Sequence, residues 1–166
     1  MRRPAAAAGS ALFFALAPGM VAGVIPWSLT GDRMRGAFAD WASVRVAGLI
    51  LVILGALVLL QAFAQFVTEG RGTPAPVGPT ERLVIGGLYR YVRNPMYLAV
   101  VAAIAGQALL LGQPGLFGYA ALVWVLVAAF VRGYEEPTLA RQFGAQYDAY
   151  RRSVRAWLPR MRPWHS

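Results

Sequence analysis

The sequence contains no cysteine and only one histidine among its 166 residues. The lack of cysteine excludes disulfides, a thiol nucleophile, zinc thiolate sites and cysteine-held iron–sulfur clusters. The single histidine, His165, lies next to the last residue and is expected to be solvated. The sequence therefore predicts no metal site.

Charged residues are also scarce, and the basic ones are all of one kind. Only 14% of the residues are charged, and all 16 basic residues are arginine, which gives a net charge of +9. The arginines lie between apolar blocks and not along one stripe, so nucleic-acid binding is not predicted. Hydrophobic residues make up 58% of the chain, and the mean hydropathy is +0.51. This balance indicates membrane helices, with arginine-rich flanks on the cytoplasmic side.

Four apolar blocks predict the architecture. A helix needs roughly 20 residues to cross the hydrocarbon core. The second block exceeds that length, the third and fourth are short, and "GQPG" at 112–115 predicts a tight turn between them. We therefore expect one all-α domain over residues 1–166, an integral-membrane bundle of about four helices that includes a short helical hairpin. The predicted spans are 10–29, 44–67, 96–111 and 116–131.

The distribution of arginine predicts the orientation. Most arginines lie before block one, between blocks two and three, or after block four, and only Arg33, Arg35 and Arg45 lie on or near the other side. A multi-pass protein of the plasma or inner membrane with both termini in the cytoplasm is expected. The alternative for block one is a signal peptide, because "MRR" precedes an apolar run.

Two segments outside the blocks are predicted to be cytoplasmic. Residues 68–88 are rich in glycine and proline, which favours a shaped loop. Residues 137–154 place an apolar residue every three or four positions, which predicts one amphipathic helix that lies on the bilayer surface or caps the bundle. Its apolar face consists of Leu139, Phe143, Tyr147, Tyr150 and Val154.

Polar residues crowd at the ends of blocks three and four. The first cluster leads into block three and the second leaves block four, so a hairpin would bring both to one membrane face. The first contains Tyr89, Arg90, Tyr91, Arg93, Asn94 and Tyr97; the second contains Arg132, Tyr134, Glu135 and Glu136. The alternative interpretations are an aromatic interfacial belt for the first and a solvated helix start for the second.

Pro95 predicts a helix start whose first backbone N–H groups are free to bind an anion. Arg93 is placed to add a bidentate contact to a carboxylate or phosphate. The acidic pair suits an ammonium group or ribose hydroxyls, and the tyrosines suit a flat base or a cation. Carboxylate, ammonium, ribose and base are together the parts of S-adenosylmethionine.

Two longer stretches carry a family resemblance. The stretch "GRGTPAPVGPTERLVIGGLYRYVRNPMYLAV", followed by "YEEPTLARQFGAQYDAYRRSVRAWLPR", resembles the isoprenylcysteine carboxyl methyltransferase family, which belongs with the phospholipid methyltransferases. The resemblance covers roughly residues 44–160. It implies a helical membrane enzyme that uses S-adenosylmethionine, bound on the cytosolic side by segments 68–95 and 132–166.

The resemblance also implies roles for individual residues. Family members commonly have Arg-His-Pro-x-Tyr where this chain has Arg93-Asn94-Pro95-Met96-Tyr97, so a proton acceptor at Asn94 is not expected. The implied catalytic residues are Arg93, Asn94, Glu135 and Glu136. The implied cofactor-binding residues are Glu81, Arg82, Leu83, Val84, Tyr89, Asn94, Pro95, Met96, Tyr97 and Glu135. A substrate-side arginine in some members matches Val131, and its neighbour Arg132 is the candidate here.

The implied reaction is methyl transfer to a lipophilic substrate that enters from the bilayer, with isoprenylcysteine carboxyl O-methylation as the first candidate. Phospholipid N-methylation is the nearest alternative. An NADPH-dependent membrane reductase of the steroid-reductase type, and a non-catalytic membrane protein, are the others.

Overall fold

The computed structural model of the protein describes residues 16–31, 41–65, 68–69 and 82–164. Outside those ranges lie the cofactor candidate Glu81, His165 and residues 70–81 of the predicted loop 68–88. Residues 10–15 of the first predicted span and 66–67 of the second also lie outside them. Within them, every regular element is a helix. The all-α prediction is therefore confirmed for the described part of the chain.

The first helix, α1 (Leu16–Thr30), contains Pro18 and Pro26 and continues through both of them. It widens into a π-helical segment at Met20–Val24. Pro26 has no N–H to donate, which leaves the carbonyls of the preceding turn without their usual partner. Gln107 Nε2 donates to the Ala22 carbonyl at 2.7 Å and Tyr119 Oη donates to the Val21 carbonyl at 2.9 Å. These two side chains from the hairpin satisfy the carbonyls and fix α1 against it.

Helices α2 (Ala42–Gln65) and α3 (Pro95–Leu111) pack against each other through small residues. A Cβ atom added to Gly48 would lie 2.6 Å from the Gly106 carbonyl oxygen, and one added to Gly55 would lie 2.9 Å from the Ala99 carbonyl oxygen. Both distances are too short for a side chain. Glycine thus allows the two backbones to approach closely, as at membrane helix interfaces.

The predicted turn at "GQPG" is confirmed. Gly112 ends α3 in the left-handed conformation, with φ of 63°, and its N–H and that of Gln113 bond to the last carbonyls of α3. This is the Schellman arrangement that favours glycine. Helix α4 (Gly115–Phe130) then returns antiparallel to α3.

The prediction of one amphipathic helix over 137–154 was wrong. Helix α4 continues through a π-helical segment, Val131–Glu135, directly into α5 (Glu136–Phe143). Gly144, with φ of 48°, then ends α5 and changes the direction of the chain before α6 (Ala145–Ser153). Left-handed φ is accessible to glycine at little cost, so the chain turns there.

The predicted apolar face nevertheless forms one cluster. Tyr147, Tyr150 and Val154 are buried, with Leu139 and Phe143 packed against them. The cluster also contacts Leu83 and Ile85 of the segment before α3. Of the two alternatives, the structure therefore favours a helical cap on the protein over a helix lying on the bilayer.

Two helices in the described ranges are long and apolar enough to cross a membrane. They are α2 and the continuous helix Gly115–Phe143, whereas α1 and α3 are shorter apolar helices. Length and composition therefore support membrane association for this chain.

Candidate functional site

The segment before α3 makes a tight 3₁₀ turn at Gly87–Arg90. Gly87 has φ of 53°, a left-handed conformation that favours glycine. The turn buries Tyr89, whose carbonyl accepts a hydrogen bond of 2.7 Å from Tyr150 Oη. The turn and α6 are thereby held together, and the chain enters α3 from a fixed direction.

Arg93 lies at the centre of the site. Its Nη2 atom forms an ion pair of 2.9 Å with Glu136 Oε1, and the two side chains are 12% and 19% exposed. Its Nη1 atom donates to Tyr147 Oη at 3.1 Å. Arg93 thus links the start of α3 to both α5 and α6.

A second contact lies beside the first. Tyr97 Oη, in the first turn of α3, donates to Glu135 Oε2 at 3.0 Å. Glu135 and Glu136 are consecutive residues at the junction of the π-helical segment and α5. The structure therefore brings the two sequence clusters together. Arg93 faces Glu136, and Tyr97 faces Glu135.

Residues 155–164, here called the C-terminal strap, cover the entry to α3. Three backbone bonds join the strap to residues 90–93, from Arg93 N to Arg155 O, from Arg160 N to Tyr91 O and from Trp164 N to Arg90 O. Trp157 of the strap makes an edge contact with Trp124 of α4, at 6.1 Å between ring centroids. The strap ties the hairpin and the segment before α3 into one unit.

The buried Asn94 side chain adds a hydrogen bond between the start of α3 and the strap. It is 6% exposed, and its Nδ2 atom donates to the Ala156 carbonyl at 3.1 Å. The residue that replaces the family's usual histidine therefore holds the strap. Its predicted catalytic and cofactor-binding roles stay predictions.

The other predicted site residues divide by exposure. Val84, Tyr89, Pro95 and Met96 are buried around the start of α3, and Leu83 packs against the cluster of α6. Arg82 and Arg132 have exposed side chains, and Val131 beside Arg132 is buried. The structure thus assembles Arg93, Tyr97, Glu135 and Glu136 into one contact network and leaves Arg82 and Arg132 at the surface.

Burial raises the pKa of three tyrosines that lie outside the spans, Tyr89, Tyr147 and Tyr150. Desolvation raises the pKa of Tyr150 and raises the pKa of Tyr89 well above its usual value. Desolvation likewise raises the pKa of Tyr147, although the Arg93 charge opposes that rise. All three phenols therefore stay protonated at neutral pH and act as hydrogen-bonding groups.

The resemblance placed the cofactor site in segment 132–166 as a whole, but the sequence did not single out Tyr147 or any residue of the strap as a site residue. The spacing of Tyr147 marked it only as a member of an apolar face. Its hydroxyl reaches Arg93 because Gly144 turns α6 back toward α3. The strap pairs through backbone groups of Arg155 and Arg160, for which side-chain patterns carry no signal.

We expect Asn94→Ala to loosen the strap. The substitution leaves the partly buried Ala156 carbonyl without its donor, and the loss of such a hydrogen bond costs about 1 kcal/mol. The strap contains two trypsin sites, Arg155–Ala156 and Arg160–Met161, so limited trypsin digestion reports its opening. Cleavage at these sites is expected to accelerate about fivefold or more. Gln146→Ala, an exposed amide in α6, is the matched control and should digest like the parent; equal rates for Asn94→Ala would contradict the account.

Comparison with known proteins supports one family. The phospholipid methyltransferase family model matches residues 44–146. A phosphatidylethanolamine N-methyltransferase of Phaeosphaeria nodorum is 30% identical over 92 residues, which is 53% of this chain and 10% of the relative. Methanethiol S-methyltransferase 2 of Bradyrhizobium diazoefficiens is 32% identical over 139 residues, which is 84% of this chain and 48% of the relative.

A plant relative matches most of both chains. It is named a probable protein-S-isoprenylcysteine O-methyltransferase of Oryza sativa subsp. indica, and it is 27% identical over 136 residues, 79% of this chain and 69% of the relative. The chain therefore spans about a tenth of the fungal relative, about half of the bacterial one and about two thirds of the plant one. No solved structure matches the chain significantly.

Proposed function

The chain belongs to the phospholipid methyltransferase family, and on that premise we propose that it transfers a methyl group from S-adenosylmethionine to a lipophilic substrate of the membrane. The observation that carries the proposal is the pair of contacts between the start of α3 and the α4–α5 junction, Arg93 with Glu136 and Tyr97 with Glu135. They place opposite charges and a phenol within one small polar site, next to apolar helices.

The donor set at this site fits S-adenosylmethionine. Within the described ranges, Arg93 Nε is buried and has no hydrogen-bond acceptor. Pro95 begins α3, so the N–H groups of the next two residues have no acceptor within the helix. These donors suit a carboxylate, and the Glu135 and Glu136 carboxylates suit an ammonium group or hydroxyls. When bound, S-adenosylmethionine supplies a methyl group that its sulfonium sulfur already activates.

The chain's own residues then have distinct tasks. Arg93 and the start of α3 bind the carboxylate, and Glu135, oriented by Tyr97, binds the ammonium group or the ribose. Leu83, Val84, Tyr89 and Met96 line the apolar part and exclude water, which strengthens the charged contacts. Roles for Glu81 and Arg82 in cofactor binding, and for Arg132 in substrate binding, rest on the family resemblance.

The methyl acceptor separates the two candidate reactions. A carboxylate acceptor, as in isoprenylcysteine O-methylation, is already a nucleophile and needs no general base. An amine acceptor, as in phospholipid N-methylation, must release a proton, and Glu135 or Glu136 is placed to accept it. The family match and the fungal relatives named phosphatidylethanolamine N-methyltransferase favour the second reaction, and the plant relative's name favours the first.

The proposed topology is a four-helix membrane bundle with both termini in the cytoplasm. Helices α1 and α3 are shorter than a full span, and α1 is fixed to the hairpin by Gln107 and Tyr119. The polar site at the start of α3 then lies at the cytoplasmic face. The cofactor reaches it from the cytoplasm, and the lipophilic substrate enters from the bilayer.

The direct test of the site is calorimetry with S-adenosylmethionine on the purified protein. Glu135→Gln removes the charge that Tyr97 orients. A hydrogen bond to a charged group contributes about 1.5–3 kcal/mol, so affinity should fall about tenfold to a hundredfold. Asp148→Asn, an exposed carboxylate of α6, should bind as the parent does. Binding of NADPH in place of S-adenosylmethionine would favour the reductase alternative, and binding of neither cofactor by the parent would favour a non-catalytic protein.

A further inference from the structure

The strap that covers the entry to α3 also lies against the apolar sides of the helices. Trp157 contacts Trp124 of α4, which lies six residues before the end of that helix at Phe130, about 9 Å along its axis. Two residues after Trp157, Pro159 lines an apolar groove between α2 and α3. The strap therefore crosses surfaces that face lipid in the proposed membrane bundle.

Two large apolar side chains of the strap are left without cover by the protein. Leu158 is 62% exposed and Met161 is 97% exposed. Exposed apolar side chains that lie close together mark a surface that binds a partner or a membrane. The neighbours of Leu158, Trp157 and Pro159, both lie on apolar helices. In the proposed bundle, Leu158 is therefore level with the edge of the bilayer.

The apolar residues of the strap are set among arginines. Residues 149–164 contain five arginines and no aspartate or glutamate. Two of them, Arg155 and Arg162, stand on either side of the apolar pair in the sequence. Both have exposed side chains, and neither forms an ion pair within the described ranges. This pattern suits an anionic lipid surface, because an arginine stem lies along hydrocarbon while its charge reaches the head groups.

The strap is also hydrogen-bonded to the polar site that it covers. Arg93 N donates to the Arg155 carbonyl at 3.0 Å, and Asn94 Nδ2 donates to the Ala156 carbonyl at 3.1 Å. These two carbonyls come directly before Trp157 in the chain. A contact that fixes the strap therefore also fixes the backbone of Arg93, the residue at the centre of the site.

We propose that the strap docks on an anionic bilayer surface and that docking raises the affinity of the polar site for S-adenosylmethionine. Leu158 and Met161 insert between acyl chains, which removes their apolar surface from water. Arg155 and Arg162 bind the anionic head groups. The lipid acts here as a surface and is not the methyl acceptor. The effect on affinity rests on the proposed function, whereas the docking surface does not.

Fluorescence quenching on the full chain in reconstituted bilayers tests the docking. The chain has no cysteine, so Leu158→Cys introduces a single attachment point for a fluorophore. Phosphatidylcholine with a spin label on its acyl chain quenches a fluorophore that is inserted in the bilayer. We expect about fivefold stronger quenching at Leu158→Cys than at Ser153→Cys, an exposed position of α6. Equal, weak quenching at both positions would mean that water or a soluble partner covers Leu158, and would overturn the proposal.

Spin-labelled phosphatidylglycerol, at the same mole fraction, tests the role of charge. Because each arginine near an anionic surface adds to the attraction, quenching at Leu158→Cys should be about fivefold or more stronger than with phosphatidylcholine. Arg155→Gln combined with Arg162→Gln should remove this preference and leave quenching by phosphatidylcholine unchanged. Arg141→Gln, at an exposed arginine of α5, is the matched control and should keep the preference. Equal quenching of the parent sequence by the two lipids would contradict an anionic surface.

Calorimetry with S-adenosylmethionine in the two kinds of bilayer tests the effect on the polar site. Affinity should be about threefold or more higher when the bilayer contains phosphatidylglycerol, and Arg155→Gln with Arg162→Gln should abolish this gain. Attraction of the cationic cofactor to the anionic surface would raise the affinity of every variant alike. A gain that persists in the double variant, or no gain in the parent, would therefore overturn the coupling. If the parent binds S-adenosylmethionine in neither bilayer, the proposed function and the coupling both fail, and the quenching results alone decide the docking surface.

Discussion

Replacing Arg93 with alanine is expected to abolish measurable S-adenosylmethionine binding and to destabilise the hairpin entry. Arg93 is the group that joins α3 to both α5 and α6, through Glu136 at 2.9 Å and Tyr147 at 3.1 Å. Removing one member of a buried ion pair leaves the other charge uncompensated and costs about 3–5 kcal/mol; because the pair remains partly exposed, about 2–3 kcal/mol is expected here. Calorimetry and thermal unfolding measure the two effects on the same sample.

A double-mutant cycle separates the ion pair from the cofactor contact. If Arg93 and Glu136 act as a pair, Arg93→Ala and Glu136→Ala together should cost less stability than the sum of the single changes. The loss of S-adenosylmethionine affinity in Arg93→Ala should persist in the double variant, because the cofactor carboxylate still lacks its partner. Arg152→Ala, at an exposed arginine of α6, is the control and should match the parent. Parent-like cofactor affinity in Arg93→Ala would contradict the assigned role.

Substituting alanine for Gly48 is expected to destabilise the protein, against the usual preference of helices for alanine. The added Cβ would lie 2.6 Å from the Gly106 carbonyl oxygen and 2.6 Å from the Leu110 nitrogen, both of which are backbone atoms. Neither atom can move without separating α2 from α3. Overpacking of this kind costs about 1–3 kcal/mol, and thermal unfolding in detergent measures it.

Gly118→Ala is the matched control for the helix interface. Gly118 lies in α4, and a Cβ there would meet nothing within 4 Å. The same substitution should therefore stabilise the protein, by up to about 1 kcal/mol, because alanine has the higher helix propensity. Opposite signs at the two positions would confirm that close packing, and not helix propensity, determines the α2–α3 interface. A stabilised Gly48→Ala variant would contradict it.

Local signals predicted much of the fold. The hairpin turn was predicted from "GQPG", because a glycine in the left-handed conformation ends a helix and a proline after it does not continue that helix. The passage of α1 through Pro26 was not predictable, since it depends on Gln107 and Tyr119 of distant helices. The break at Gly144 was missed because the apolar spacing continued across it.

For the site, the sequence predicted which ends of the hairpin face each other but not the partners within it. Two polar clusters flanking a tight hairpin indicate one site, and the pairs of Arg93 with Glu136 and Tyr97 with Glu135 have that placement. Backbone hydrogen bonds between distant segments, such as those of the strap, leave no comparable pattern in the sequence. The pairing of the strap with residues 90–94 therefore required the structure.

Transfer of labelled methyl from S-adenosylmethionine, followed by mass analysis of the product, tests the central claim most directly. The purified protein is incubated with total membrane lipid and, separately, with a small prenyl-thiol carboxylate, and Arg93→Ala serves as the inactive control. The account predicts a labelled lipophilic product with the parent and none with the variant. A labelled phospholipid would select N-methylation, and a labelled methyl ester would select O-methylation. Absence of any labelled product from either substrate, with the parent protein folded and bound to S-adenosylmethionine, would contradict the claim.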